Sequence, residues 1–404
     1  MMMTSDANHN IETRRMERPN GDGRPTILQI LPALAGGGGG VERGTIEIAG
    51  AITSAGGRAL VASEGGLLVH DLTRAKAQHI TLPMASKNPL VMYRNIGRLV
   101  DLIKTENIDL VHVRSRAPAW SAYFACQRTK VPLVTTFHGT YSIGNFLKRK
   151  YNGVMTFGRR VIAISGFIGG HIRRHYGVPV EKIRVIHRGV DIEKFDPEKV
   201  SAERVIKLAT EWRLPDGAPV VMLPGRLTRW KGQLVMIDAI AKLERTDIRC
   251  LLVGGDQGRS AYRREVDQRI MRHGLEQVVR IIDHCDDMAA AYMLTDLVVS
   301  ASTDPEGFGR VVAEAQAMGR PVIATDHGGA RETVLPGETG WLTKPGDPIS
   351  LAAALKEGLE LDAGTRDRMA KRAIAHVRQN FSKAQMCERT LEVYNEVLAE
   401  RGKL

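Results

Sequence analysis

The sequence predicts an α/β protein made of two doubly wound parallel-sheet halves that face each other across a cleft. Short apolar runs alternate with amphipathic helical windows along nearly the whole chain, the signature of strand-helix-strand units. A length of 404 residues exceeds what one ordinary core organises. Glycine-rich turns also follow the first strand of each half, at the sheet edge where doubly wound folds bind ligands.

Residues 1–25 are polar, with Arg14, Arg15 and Arg18 but no apolar stretch, and are expected to be a disordered extension and not a secretory signal. The N-terminal half, 26–195, is expected to carry strands at Thr26–Leu31, Arg58–Ser63, Leu110–Val113, Leu133–Phe137, Val161–Ile164 and Ile183–Ile186. The second half, 196–380, is expected to carry strands at Val220–Leu223, Arg249–Val253, Val279–Ile282, Leu297–Ser300 and Pro321–Ala324. The join falls within Asp191–Pro219, marked by Pro197, Pro215 and Gly217, with a helix around Glu203–Trp212 inside it. Beyond Pro348 the pattern is helical to the end, and 381–404 is expected to pack back toward the N-terminal half.

Composition narrows the class. Hydrophobic content of 43% is that of a soluble globular protein, and no apolar run reaches the roughly eighteen residues that span a bilayer. Cys126, Cys250, Cys285 and Cys387 lack metal-ligand spacing and read as idle thiols of a reducing cytoplasm. Between Thr26 and Phe195 there are 23 Lys and Arg against 10 Asp and Glu; from Asp196 onward there are 30 against 31. The basic excess therefore sits on the N-terminal half and suits an acidic substrate or an anionic membrane. No nucleic-acid-binding motif accompanies it.

The richest segment is Asp304-Pro305-Glu306-Gly307-Phe308-Gly309-Arg310-Val311-Val312-Ala313-Glu314. Gly307 and Gly309 let backbone N–H groups approach an anion at a helix N-terminus, where the macrodipole is positive. Glu306 precedes that turn, and Glu314 lies about two helical turns further along, facing the same general way. Gly319-Arg320-Pro321-Val322-Ile323-Ala324-Thr325 and the turn Gly328-Gly329 follow. Gly36 to Gly40 follow the first strand, but no dinucleotide fingerprint is completed, since Glu64 only loosely matches the ribose-binding acid. Gly225-Arg226-Leu227-Thr228-Arg229-Trp230-Lys231-Gly232 sets two cations at a strand's carboxyl end, suited to a diphosphate, and Phe137-His138-Gly139-Thr140 puts a histidine at another strand end.

Glu-Gly-Phe-Gly-x-x-x-x-Glu-Ala, then Gly-x-Pro-Val-Ile-Ala-Thr and Gly-Gly-x-x-Glu ending at Glu332, resembles the donor-binding signature of retaining glycosyltransferases of family 4, which have the GT-B fold of two Rossmann-like domains. The resemblance covers nearly everything after residue 25. It implies that Arg226 and Lys231 bind the donor diphosphate, that Glu306 contacts the donor sugar, that His138 hydrogen-bonds that sugar, and that Glu314 holds the ribose. Gly307, Phe308 and Gly309 would supply donor-binding backbone. The glycine run, with Gly39 and Gly40, resembles the family's Gly-Gly-x-Glu-Arg loop, lengthened. The base, UDP or GDP, would sit near Asp283-His284-Cys285-Asp286, with His284 and Cys285 at the contact. The family's Asn-Gly-Val-Asp is here Arg188-Gly189-Val190-Asp191, which removes any contact of the asparagine side chain.

Neither a cofactor nor a metal is expected, since fixed cations and N–H groups can stabilise the leaving anion. The acceptor side is read from Tyr141 to Arg160, where Phe146, Leu147, Tyr151, Met155 and Phe157 alternate with Lys148, Arg149, Lys150, Arg159 and Arg160, as suits an anionic leaflet. Arg114 and Arg116 end another strand and suit an anionic acceptor. The expected activity is hexosyl transfer to a lipid-linked or anionic saccharide, foremost lipopolysaccharide core, by a cytoplasmic protein peripheral on the inner face of the cell membrane. The alternatives are a nucleotide-sugar epimerase or soluble disaccharide synthase of the same fold, and a non-catalytic nucleotide-sugar or membrane-binding protein.

Overall fold

A computed structural model describes Met16 and residues 23–36, 40–141 and 144–401. The expected extension, apart from Met16 and residues 23–25, lies outside the described residues, as do Gly37 to Gly39. Met16 is buried, and its N–H donates to the Ala55 carbonyl at 3.1 Å, so this apolar residue of a polar stretch is anchored on the N half.

The N half runs β1 (Thr26–Ile30), α1 (Gly40–Ser54), β2 (Arg58–Ser63), α2 (Val69–Arg74), β3 (Gln78–Thr81), α3 (Pro89–Thr105) and β4 (Leu110–Val113). It continues with α4 (Arg116–Thr129), β5 (Leu133–Phe137), α5 (Phe146–Gly153), β6 (Arg160–Ala163), α6 (Gly166–Tyr176) and β7 (Ile183–Val185). The join carries α7 (Ala202–Glu211). The C half then runs β8 (Val220–Pro224), α8 (Gln233–Leu243), β9 (Arg249–Val253), α9 (Ser260–Arg272), β10 (Val279–Ile282), α10 (Met288–Met293) and β11 (Leu297–Ser300). It closes with α11 (Arg310–Ala317), β12 (Val322–Thr325), α12 (Ala330–Thr333), β13 (Gly340–Thr343), α13 (Pro348–Leu359), α14 (Ala363–Asn380) and α15 (Lys383–Arg401).

Both sheets are parallel, in the orders β3-β2-β1-β4-β5-β6-β7 and β10-β9-β8-β11-β12-β13. In each, the chain winds outward one way from the first strand and then the other. Each therefore has a switch point where neighbouring loops diverge and leave a crevice: between β1 and β4, and between β8 and β11. All eleven expected strands form, with ends within one residue of those expected. Two edge strands were not expected. β3 reads Gln-His-Ile-Thr and is half exposed, while β13 is four residues long and begins with Gly340, so neither shows the apolar run of a strand covered on both faces.

The halves are joined twice, side by side. Val190 donates to Phe381 O at 2.8 Å and Lys383 donates back to Val190 O at 2.8 Å, with Lys383 Nζ on Asp191 at 2.6 Å. A Cβ on Gly189 would lie 2.5 Å from Lys383 Cα, so only glycine allows the two segments to pass. α15 then returns to the N half: the hydroxyl of fully buried Tyr394 meets His112 Nδ1 at 2.6 Å, and Glu396 binds Arg160 and Arg184.

Candidate active site in the cleft

On the C half the site grows from the β8–β11 switch point. β8 ends at Pro224, and after Gly225 the side chain of Arg226 emerges exposed, its guanidinium 3.4 Å from Gln257 Oε1 and without a carboxylate partner among the described residues. A single 3-10 turn, Arg229–Lys231, turns Lys231 back, and Gly232, at φ 76°, lets α8 start where a Cβ would strike Ala301 O at 1.9 Å. Lys231 Nζ donates to Glu306 Oε1 at 2.7 Å. Ser302 and Ser300, from the end of β11, donate to the same oxygen at 2.5 and 3.3 Å. Burial pushes the Glu306 carboxyl up, but the Lys231 ammonium and the two hydroxyls outweigh it and hold the group below the usual carboxylate range. Glu306 is thus a charged acceptor and a poor base.

The loop continues through Gly307 and Phe308 to Gly309, at φ 85°, before α11. Gly328 and Gly329 brace it from behind: Gly329 N–H donates to Glu306 O at 2.9 Å, and a Cβ on Gly328 would come 2.4 Å from that oxygen. Glu314 is buried one turn into α11, accepting from Tyr292 OH at 3.2 Å and Arg310 at 2.9 Å. Beyond β10, His284 and Asp286 are exposed and pair at 2.7 Å, while burial pushes the Cys285 thiol up to about 11.

The N half brings its own switch point to the same cleft. Gly307 packs so closely that a Cβ would sit 3.0 Å from His138 O. Both His138 ring nitrogens are buried without a hydrogen-bond partner among the described residues. Burial, and then Arg188 and Arg114, hold this imidazole well below its ordinary value, so it is neutral at pH 7. At the glycine run, Gly36 N–H donates to Glu42 Oε2 at 3.0 Å, which ties the two ends of the loop; Gly40 begins α1, and Gly39 lies outside the described residues. Across the cleft, Glu332 of α12 accepts from Gly166 N–H and Phe167 N–H at 2.7 Å each and meets His187 at 2.8 Å, capping α6 of the opposite half.

The structure places the expected acceptor-side residues differently from one another. Arg114 is 2% exposed and bonds Gln29 at 3.3 Å, since strand β4 delivers it into the interior and away from any membrane surface. Arg116 lies 4.3 Å from the Tyr141 ring centroid and donates to Asn152 at 3.1 Å. The basic-apolar stretch also ends earlier than expected: Met155 is buried, and Arg159 and Arg160 pair with Glu400 and Glu396 of α15, leaving Lys148, Arg149 and Lys150 exposed. Tyr292, Ser300 and Ser302 were missed. The Ser-x-Ser pair at a strand's carboxyl end was the available signal.

Comparison with known proteins places this geometry among relatives. Residues 38–194 match the family model described as Glycosyltransferase Family 4, and residues 206–376 match that of Glycosyl transferases group 1. The D-inositol 3-phosphate glycosyltransferase of Corynebacterium glutamicum strain R is 33% identical over 326 residues, 76% of this chain and 77% of its own. The crystal structure of a glycosyltransferase from Rickettsia africae superposes with a TM-score of 0.86 at 38% identity, covering 93% of this chain and 99% of the other. The Anabaena HepE protein, solved in complex with UDP and glucose, gives 0.81 at 27% identity over 92% of this chain and 100% of its own.

Proposed function

The chain belongs to glycosyltransferase family 4, with the GT-B fold, and we propose that it transfers a hexosyl group with retention, without a metal, from a UDP sugar to an anionic saccharide acceptor. The observation that carries this reading is the pairing of Lys231 with Glu306 beside the exposed guanidinium of Arg226, at the mouth of one switch point. Arg226, Lys231 and the N–H groups of Gly307 to Gly309 would hold the diphosphate as its charge grows. The anomeric C–O bond breaks, its electron pair leaves with the diphosphate, and the acceptor oxygen adds to the same face while a phosphate oxygen takes its proton. Glu306, already accepting three hydrogen bonds through one oxygen, keeps the other for sugar hydroxyls; Glu314 would hold the ribose. The base UDP is favoured by the ligand of the HepE structure.

The acceptor side rests on a cavity of about 490 Å³ lined by Pro32, Ala85, Lys87, Ser115, Arg116 and Tyr151. Two cations in it suit a phosphate or carboxylate. The lipopolysaccharide-core expectation is narrowed to that chemistry, because the Corynebacterium glutamicum relative is named for D-inositol 3-phosphate. Tyr151 belongs to α5, whose Phe146 and Leu147 are 76% and 74% exposed beside Lys148, Arg149 and Lys150. Such a helix would lie on an anionic leaflet and deliver a lipid-linked acceptor to this cavity. Among the described residues no helix is long and apolar enough to cross a membrane.

Replacing Arg226 or Lys231 by alanine should slow transfer about a hundredfold or more, the scale of one pre-organised electrostatic contact. Near-normal turnover in both variants would remove the assignment.

A further inference from the structure

The cleft gathers guanidinium groups from both halves for which the described residues supply too few carboxylates. Arg188, in the segment after β7, is 6% exposed and has no hydrogen-bond or ion-pair partner among the described residues. Burial, then Arg114 and Arg310, bring it down to about 9, with Glu47 opposing weakly. Arg114, 2% exposed, leaves its Nε unpaired, and Arg310 leaves its own Nε unpaired while its terminal nitrogen binds Glu314. All three converge on the first turns of α1. A Cβ on Gly40 would meet Arg188 Nη2 and Arg310 Cδ, each at 3.4 Å; a Cβ on Gly44 would meet Arg188 Nη1 at 2.3 Å and Arg114 Nη2 at 3.1 Å. The two glycines are the space into which these groups reach.

Buried like charges of this kind are costly unless an anion joins them. We propose that Arg114, Arg188 and Arg310, with His138 beside them, form a second oxyanion site in the cleft, taking a carboxylate or phosphate carried by one of the two sugar substrates. The site uses neither side chain of the diphosphate clamp, Arg226 and Lys231, although Arg310, directly after Gly309, borders both. It combines the N-terminus of the fifteen-residue helix α1 with a buried, unpartnered guanidinium aimed at it. His138 borders both this site and Gly307, so the anion lies next to the sugar that is transferred. Arg188 stands where the family resemblance leads one to expect asparagine, so the charge is a feature of this chain. Assigning the anion to a sugar substrate rests on the glycosyltransferase reading above; the existence of the site does not.

The test uses the full chain and two variants. Arg188→Asn removes the unpaired charge, whereas Gly44→Ala keeps every charge and displaces Arg188. Millimolar inorganic phosphate should raise the melting temperature of the wild type, and also of Arg226→Ala, but not of Arg188→Asn or Gly44→Ala. Calorimetric titration should then compare UDP, UDP-glucose and UDP-glucuronic acid, and KM should be compared for inositol 3-phosphate and inositol. An acidic donor predicts that UDP-glucuronic acid binds about tenfold or more tighter than UDP-glucose; an acidic acceptor predicts that preference for the phosphorylated inositol. Either preference should vanish in both variants. The proposal is overturned if phosphate stabilises Arg188→Asn as well as wild type, if neither pair is discriminated, or if Arg188→Asn weakens UDP as much as UDP-glucuronic acid, which would assign the arginines to the diphosphate. If neither UDP nor GDP binds, the donor reading fails, and the phosphate measurement still decides whether the site exists.

Discussion

The N and C halves share one doubly wound topology but treat charge at their switch points in opposite ways. On the C half, Lys231 is matched by Glu306 and Arg310 by Glu314, while Arg226 stands exposed, with Gln257 but no carboxylate beside it among the described residues. On the N half, Arg114 and Arg188 are buried without a carboxylate partner among the described residues, and the half carries 23 basic residues against 10 acidic ones. The paired groups are pre-formed, and Arg226 is left to meet the charge of the diphosphate proposed to bind there. An unpaired site needs an anion to complete it. Under the proposed function this divides the labour: the C half would hold the donor at a largely paired site, while the N half would take anions, in its interior and on its surface.

Two results would sharpen or break that division. The larger effect is at the surface. Each Lys or Arg near an anionic leaflet contributes about 1 kcal/mol, decaying over a Debye length of about 8 Å at physiological salt. Changing Lys148, Arg149 and Lys150 together to glutamine should therefore cost about 3 kcal/mol of binding to phosphatidylglycerol vesicles. Nucleotide binding, which the proposed function assigns to the other half, should stay nearly unchanged. Wild type that remains in the supernatant at low salt would end the membrane reading and leave a soluble acceptor.

The smaller effect concerns acid. His112 and His138, both on the N half, are held well below the ordinary imidazole value, first by burial and then by neighbouring cations, Arg114 in both cases. A group with a depressed folded pKa contributes stability that is intact above its unfolded value, about 6.5, and lost as pH falls below it. The slope is about 1.4 kcal/mol per pH unit for each histidine. Glu306 on the C half is also depressed, but from the carboxylate range, so its contribution persists to about pH 4.5 and is lost only below it. Hydrogen exchange at pH 7.5 and 5.5 should thus loosen β4 and β5 before β8 and β11. Uniform loosening, or the reverse order, would contradict the assignment.

Much of this could be read from the sequence where the cause is local. Strands covered on both faces appear as apolar runs, and Leu133–Phe137 or Arg249–Val253 needed nothing more. β3 and β13 escaped because neither shows a short apolar run: β3 reads Gln-His-Ile-Thr and β13 begins with Gly340. Lys231, Glu306 and Glu314 were singled out because their motifs mark a strand end and a helix start. What was hidden is long-range. Lys231 and Glu306 are brought together by the adjacency of β8 and β11, and Arg114, Arg188 and Arg310 by two switch points facing each other across a hinge. The sequence showed Arg188 only as a departure from an expected asparagine, and it showed Arg114 at a strand end without showing that the strand would bury it.

The central claim is that fixed cations of this chain, and no metal, drive transfer with retention at the C-half switch point. The most direct measurement is proton NMR of the product formed from an α-linked UDP sugar in the presence of EDTA. Full activity with an α-anomeric product, read from its small H1–H2 coupling for a gluco- or galacto-configured sugar, is the result expected. A β-anomeric product would contradict retention, and loss of activity with EDTA that returns on adding a divalent cation would contradict the metal-free mechanism.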